Sequence, residues 1–310
     1  MRFDWYQCTI EEDPVEVFSR VGSLGHELRP ADSLAKRYHY QKGYQVYHHR
    51  RGVVATVLAG GNGDGNHAHA FASSDNTEAF VDLVRSAWPD RHLVTRLDAA
   101  QDFNDRQAYP RIRKLARKVA KRHRLAFPTI SDDLNPKAGR TQYIGSPKSD
   151  YRGRLYEKGL EQLSKLRDQW ARMYPNTELD HDQVLSFRTP EGVDVHPLDW
   201  IRLEAQIRPH DEQARRIAAQ ASPTEAWGFT SWTQELAREA LALELERIYI
   251  RQRKVSEDEA ALRWMCQQYG QMLTRLKHDL GDWACVGLEI GQIVQEYHQQ
   301  RRGNGGGSAP

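Results

Sequence analysis

Three short segments place side chains of catalytic type at strand spacing. In Arg96-Leu97-Asp98-Ala99-Ala100-Gln101-Asp102-Phe103, alternation puts Arg96, Asp98 and Asp102 on one face and Leu97 and Phe103 on the other. Two carboxylates on one strand face repel each other unless a cation offsets them, and such hard oxygen donors suit Mg²⁺ or Mn²⁺. In Trp200-Ile201-Arg202-Leu203-Glu204-Ala205-Gln206-Ile207-Arg208, Ile201, Leu203, Ala205 and Ile207 form an apolar face, and Arg202, Glu204, Gln206 and Arg208 a polar one. Glu204 could supply a third carboxylate, and Arg202 or Arg208 a phosphate contact. In Tyr151-Arg152-Gly153-Arg154-Leu155-Tyr156-Glu157-Lys158, Arg152, Arg154, Tyr156 and Lys158 alternate onto one face. A phenol with a pKa of about 10 is a poor nucleophile at neutral pH. Neighbouring cations favour the phenolate and bind the phosphate that it attacks. The plain alternative for each segment is an ordinary strand with a solvated or ion-paired face, and most strand tyrosines are structural.

Other elements must hold these segments. FDWYQCTI reads as a strand, and Asp13-Pro14 opens the helix EVFSRVGSL, since proline suits a first helical turn. YQVYHHRRG and VVATVLAGG read as paired strands, followed by the glycine-rich turn GNGDGN and a short strand HAHAFA. Asn76 is placed to cap TEAFVDLVRSAW, whose Ala79, Phe80, Leu83, Val84 and Ala87 share one helical face. A basic helix is expected from about Tyr109 to Arg124, then a loop rich in proline, aspartate and glycine. TQYIGS and YRGRLYEK form a hairpin turning at SPKSD, with a helix near Gly159 to Met173 behind it. From His210 the pattern is helical to about Arg301. This order predicts an α+β body over 1–210, a helical appendage over 211–301 and a disordered tail over 302–310.

The 310 residues suffice for one large domain or two ordinary ones, and 39% hydrophobic with 28% charged residues describes a soluble globular chain. The chain has no apolar run of about 18 residues, so no transmembrane helix and no membrane partner is expected. MRFDWYQCTIEEDP has no apolar core of a secretory signal. Cys8, Cys266 and Cys285 form no CxxC pair, which argues against a disulfide framework or thiolate zinc site and favours a reducing cytoplasm. A net charge of +2 does not predict nucleic-acid binding, but its distribution does. Between Arg106 and Thr129 there is no acid, while Arg111, Arg113, Lys114, Arg117, Lys118, Lys121, Arg122 and Arg124 crowd one stretch. The same helix keeps an apolar stripe of Ile112, Leu115, Ala116, Val119 and Ala120, so one face packs and the other offers cations to phosphates.

Taken in order, TRLDAAQDF, TQYIGSPKSDYRGRLYEK and WIRLEAQIR resemble the trans-acting initiator family of rolling-circle replication, found in small plasmids and filamentous phages. The resemblance spans roughly 54–208; no single piece is specific, but the ordered set is. It implies a nuclease domain with a central antiparallel sheet, related in layout to the relaxase and HUH nucleases, with flanking helices. It also implies a metal-dependent endonuclease and strand transferase that forms a 5′-phosphotyrosyl intermediate at a replication origin. The family's nucleophile falls on Tyr156, its flanking basic positions on Arg154 and Lys158, and its metal-binding acids on Asp98, Asp102 and Glu204. Arg96, Arg152, Arg202 and Arg208, with the basic helix, become candidate DNA contacts. The family's hairpin turn carries an arginine after Gly-Ser; here Pro147 and Lys148 stand there, and Lys148 is the candidate substitute. Implied partners are origin DNA, single-stranded or extruded as a hairpin, a host helicase and polymerase, and a second copy as a homodimer. The implied location is the cytoplasm, that of the host cell for a phage protein.

His67-Ala68-His69 matches a metal-binding His-hydrophobic-His pattern, but alanine is a weak hydrophobe, and DNA contact or solvent exposure is the favoured reading. Tyr143 and Tyr151 read as structural or base-stacking, and the C-terminal helices as packing or assembly elements. Two other functions fit the same residues: a mobilisation relaxase acting at a transfer origin, and a non-catalytic DNA-binding regulator that tolerates loss of Tyr156.

Overall fold

Strands that alternate apolar and polar residues bury one face and leave the other free, and that pattern builds the centre of this protein. A computed structural model describes residues 1–61, 67–131, 139–175, 177, 179, 184–246, 248 and 257–303. The GNGDGN turn, the proline- and glycine-rich loop before Gly139 and the tail beyond Gly303 fall largely or wholly outside the described residues. In chain order the elements are β1 (Arg2–Ile10), α1 (Pro14–Gly22), β2 (Glu27–Pro30), α2 (Asp32–Arg37), β3 (Lys42–His48), β4 (Gly52–Ala59) and β5 (Ala68–Ser73). There follow α3 (Thr77–Ala87), β6 (His92–Asn104), α4 (Ala108–Arg122), β7 (Thr129–Ser131), β8 (Arg140–Ile144), β9 (Tyr151–Glu157) and α5 (Lys158–Met173). The rest are β10 (Phe187–Arg188), β11 (Asp194–Val195), β12 (Trp200–Ile207), α6 (Glu212–Gln220), α7 (Ser231–Leu241), α8 (Glu257–Leu280) and α9 (Trp283–Gly303).

Ten strands form an antiparallel sheet in the order β2-β3-β4-β5-β1-β6-β12-β9-β8-β7, and β10 and β11 make a separate small hairpin. The fold is α+β with a central antiparallel sheet and flanking helices, as the sequence indicates. On one sheet face, Tyr6, Cys8, Leu97, Ala99, Leu155, Leu203 and Ala205 meet Val17 of α1, Phe80 and Val84 of α3, Ile112 and Ala116 of α4, Ala218 of α6 and Leu236 of α7 in a continuous core. The opposite face is mostly polar. Among the described residues, Ala35 of α2 with Leu58 and Phe71 makes an apolar island there.

Local signals decide where elements begin. Asp13 caps α1 by accepting from Val15 N–H at 2.8 Å, with Pro14 in the first turn. Asn76 does not cap α3: a short 3₁₀ turn precedes that helix, and the Asn76 amide donates to Val53 O at 3.4 Å. Thr230 and Thr233 close a capping box on α7. Gly159, in the first turn of α5, has no room for a side chain, since a Cβ there would lie 1.9 Å from Pro197 O.

The chain divides into two compact units, Met1–Ile250 and Arg251–Pro310, where the order of elements in the sequence predicts a body over 1–210 and an appendage over 211–301. The reason lies in α6 and α7, whose apolar stripes join the main core. The helical pattern through ALALELE also breaks early. Ala242 adopts a left-handed conformation, and Leu243, Leu245 and Ile248 then return to that core. The second unit contains α8 and α9, and no helix among the described residues is long and apolar enough to cross a membrane.

Candidate active site

Antiparallel pairing arranges the polar residues of β6, β12 and β9 in rows across the free face. Asp102 stands opposite Arg202, and Arg202 opposite Tyr156. One row along, Ala100, Glu204 and Arg154 align; in the next, Asp98, Gln206 and Arg152. The three sequence segments are therefore adjacent strands, and their chemistry-bearing side chains share one face. Residues of β6 and β9, with others from β1 and β8, border an open cleft of about 400 Å³ whose lining includes Asp4, Arg96, Asp98, Tyr143, Arg154 and Tyr156.

Glu204 is the hub. Its Oε1 accepts the Tyr156 hydroxyl at 2.5 Å, and Arg154 Nη2 pairs with its Oε2. The same Arg154 nitrogen lies 3.5 Å from Asp98 Oδ2. Burial pushes the Tyr156 hydroxyl well above its ordinary pKa and the Glu204 carboxylate adds to this, against the opposing pull of Arg202. The expectation that neighbouring cations favour the phenolate is therefore reversed. The group nearest the hydroxyl is an anion, so Tyr156 stays protonated, and any attack through its oxygen would need a base for that proton. Burial also pushes Glu204 upward, opposed mainly by Arg154. A carboxylate so raised is a stronger base, already bonded to the proton it would remove.

Asp102 and Arg202 have a different task. Arg202 Nε and Nη2 each reach an Asp102 oxygen at 2.6 Å, and Nη1 reaches Asp4 at 2.6 Å, with the guanidinium fully buried. Burial works against its charge, but the two carboxylates outweigh that and hold Arg202 above its usual range. Arg202 is thus an internal counter-ion and not the expected phosphate contact. Asp4 was not foreseen among the site acids. β1 skips a partner between Phe3 and Trp5 in its pairing with β6, a bulge that turns both Asp4 and Trp5 to the polar face. The available signal was a single charge inside the strand FDWYQCTI. Replacing Arg202 with methionine leaves two carboxylates facing each other, and unfolding free energy should fall by about 3–5 kcal/mol in a denaturant titration. A fall below about 1 kcal/mol would show that the pair is not stability-bearing.

A centre for Mg²⁺ or Mn²⁺ built on Asp98, Asp102 and Glu204 together does not fit this arrangement. Both Asp102 oxygens are held by Arg202, and the three acids do not converge as a ligand group among the described residues. Asp98 and Glu204 do lie together, joined by Arg154, and Mg²⁺ is commonly held by one or two carboxylates plus a substrate phosphate. Both are nonetheless already engaged, Asp98 by Arg96 on each oxygen and Glu204 by Tyr156 and Arg154, so the acids as they stand do not fit a resident ion.

No protein-family model matches the chain, and no curated protein matches it. Among solved structures, it is similar to a rolling-circle replication initiator protein from Geobacillus stearothermophilus. The two share 21% identity at a TM-score of 0.42, over 70% of this chain and 76% of that one.

The remaining candidates divide by location. Arg96 binds both Asp98 oxygens, at 3.0 and 2.5 Å, and lies over the Trp5 ring. Arg152 stacks 3.7 Å from the Tyr143 ring centre on the same face. Burial and nearby guanidinium groups lower the pKa of both Arg152 and Arg208, the mark of crowded cations. The Nε atoms of Arg152 and Arg154 are buried and have no hydrogen-bond partner among the described residues. Lys158 is not on the strand face: β9 ends at Glu157, and Lys158 opens α5, where its ammonium pairs with Glu161 at 2.9 Å. Its Nζ nonetheless sits 5.6 Å from the Tyr156 ring centre. Lys148 is exposed in the β8–β9 turn, at the opposite end of β9 from Tyr156. Tyr151 falls on the core side of β9.

The basic helix lies on the other face of the sheet. α4 packs Ile112, Ala116 and Val119 into the core, so Arg111, Lys114, Arg117, Lys118 and Lys121 are exposed on the side away from Tyr156. Arg113 donates to Gln142 at 2.8 Å. DNA crossing the cleft would reach this helix only by wrapping around the sheet.

His69 is buried on the cleft face, with Nε2 2.8 Å from the Gln7 amide and Nδ1 3.3 Å from the Thr9 hydroxyl. Both nitrogens are engaged, which argues against metal ligation. Burial, helped by Arg215, lowers its pKa from 6.5 to about 4. The unfolded chain therefore takes up this proton at higher pH than the folded one. Stability from this group is complete above 6.5 and is lost as pH falls towards 4, by up to about 3 kcal/mol. His69→Gln should flatten that part of the stability–pH curve; an unchanged slope would assign it to other groups.

Proposed function

We propose that this chain is a rolling-circle replication initiator that nicks one DNA strand with Tyr156 and rejoins it through the same residue. The observation that carries this reading is the Tyr156 hydroxyl donating to the buried Glu204 carboxylate, with Arg154 on the other oxygen. A tyrosine kept only for packing needs no basic carboxylate bonded to its hydroxyl and no guanidinium on that carboxylate's other oxygen. The order of the three motifs supports the same reading.

In this mechanism Arg96, Arg152 and Arg208 hold the phosphates of a single strand on the cleft face, and Tyr143 with Arg152 offers a stacking surface to a base. Arg154, which lines the cleft beside Tyr156, binds the scissile phosphate. Glu204 takes the proton as the Tyr156 oxygen attacks phosphorus in line. The bond from phosphorus to the 3′-oxygen breaks, the leaving oxygen takes a proton from water, and the 5′-phosphate stays on the tyrosine. The released 3′-hydroxyl primes a polymerase. In the reverse step a 3′-hydroxyl gives its proton to hydroxide and attacks the phosphotyrosine, the bond from phosphorus to the tyrosine oxygen breaks, and protonated Glu204 returns its proton to that oxygen, so rejoining needs no nucleotide.

The test is incubation with labelled single-stranded oligonucleotides tiling the replicon that carries this gene, with Mg²⁺ or Mn²⁺, read on a denaturing gel. A covalent protein–DNA band supports the proposal. Binding without any such band on any oligonucleotide favours the non-catalytic regulator. Cleavage confined to a transfer origin favours the relaxase.

A further inference from the structure

We propose that His26, His48 and His49 form a second metal site, for a borderline divalent ion such as Zn²⁺, remote from the tyrosine cleft. Ligand atoms of these three residues lie within 4.8 Å of one another, and they are the one such group among the described residues. Neighbouring residues in a strand normally point to opposite faces. Here β3 ends at His48, and a tight turn, closed by Arg51 N–H donating to His48 O at 3.1 Å, brings the His48 and His49 rings into a stack 4.7 Å apart. His26 comes from the segment before β2 and meets both rings, at 4.4 and 4.6 Å between centres. Its place is set by the backbone: His26 N–H donates to Tyr47 O at 2.8 Å, and a Cβ on Gly25 would lie 2.6 Å from that same oxygen.

Three imidazoles without a carboxylate suit Zn²⁺, Ni²⁺ or Cu²⁺ and not Mg²⁺ or Ca²⁺. His26 and His49 are exposed and His48 half-exposed, so small side-chain rotations can bring them to ligand distances of about 2.0–2.1 Å, leaving a position for water. His48 Nδ1 accepts a 3.2 Å bond from Arg50 N–H, which ligation through that nitrogen would replace. In the sheet order β3 stands six strands from β9, about 29 Å along the sheet from Tyr156. The ion would tie the segment before β2 to the β3–β4 turn at the sheet's edge.

The test uses tag-free full-length protein stripped with a chelator and titrated with Zn²⁺ against a chromophoric competitor. One strong site is expected, weakened roughly 10- to 100-fold in both His26→Ala and His49→Ala and unchanged in Asp98→Asn. Zn²⁺ should also raise the melting temperature of the wild type but not of the histidine variants, which should otherwise melt like it because the altered rings are exposed. Absence of a strong site in the wild type, its survival in either histidine variant, or its loss in Asp98→Asn overturns the proposal.

Discussion

Replacing Tyr156 with phenylalanine should erase covalent attachment to single-stranded DNA, lowering cleavage by at least about four orders of magnitude. The effect should be this large because no other tyrosine among the described residues is equivalently placed. Tyr151 faces the core, and Tyr143 lies under Arg152 on a neighbouring strand. The substitution keeps the ring that fills the cleft wall, and Glu204 keeps Arg154 as its counter-ion. DNA affinity and melting temperature should therefore stay close to wild type, which separates chemistry from folding. An adduct that persists in the variant would move the nucleophile elsewhere.

Glu204→Gln should cost about 10²–10⁴-fold in cleavage rate, the range for loss of a general base. The pH profile distinguishes this from simple disruption. Because burial raises both groups, the reactive state has Glu204 ionised and Tyr156 protonated. Wild-type cleavage should fall on acidification, with a midpoint above the ordinary glutamate value. It should not climb towards pH 10, as a reaction limited by free phenolate would. In the glutamine variant the acid limb should disappear, and the residual rate should rise with pH as hydroxide or phenolate takes over. A glutamine variant with the wild-type acid limb would show that Glu204 is not the base.

Much of the candidate site could be read from alternation alone. Arg96, Asp98, Asp102, Glu204, Arg154 and Tyr156 stand on one face because odd and even positions separate in strands that pair without a slip from β6 through β12 to β9. Alternation does not say which strand lies beside which, or at what register. That is why Asp102 looks like the equal of Asp98 in the sequence, although its register row places Asp102 on Arg202, while Asp98, two rows along, lies within reach of Arg154. Asp4 and Trp5 were hidden by a bulge, which breaks the period that reveals faces. Lys158 kept the strand's rhythm by coincidence while belonging to a helix. The cationic stretch of α4 was plain in the composition, but its side of the sheet follows from where its apolar stripe packs. The helical run beyond 210 concealed the return of Leu243, Leu245 and Ile248 to the main core, a tertiary demand without a local pattern.

The most direct measurement is mass-spectrometric mapping of the covalent adduct after protease and nuclease digestion of wild-type protein reacted with its single-stranded substrate. The account expects a nucleotide-5′-phosphate mass on the tyrosine of the peptide containing Tyr156 and on no other residue. The same mass on Tyr143, Tyr151 or a non-tyrosine side chain, or cleaved DNA with no modified peptide, would contradict it.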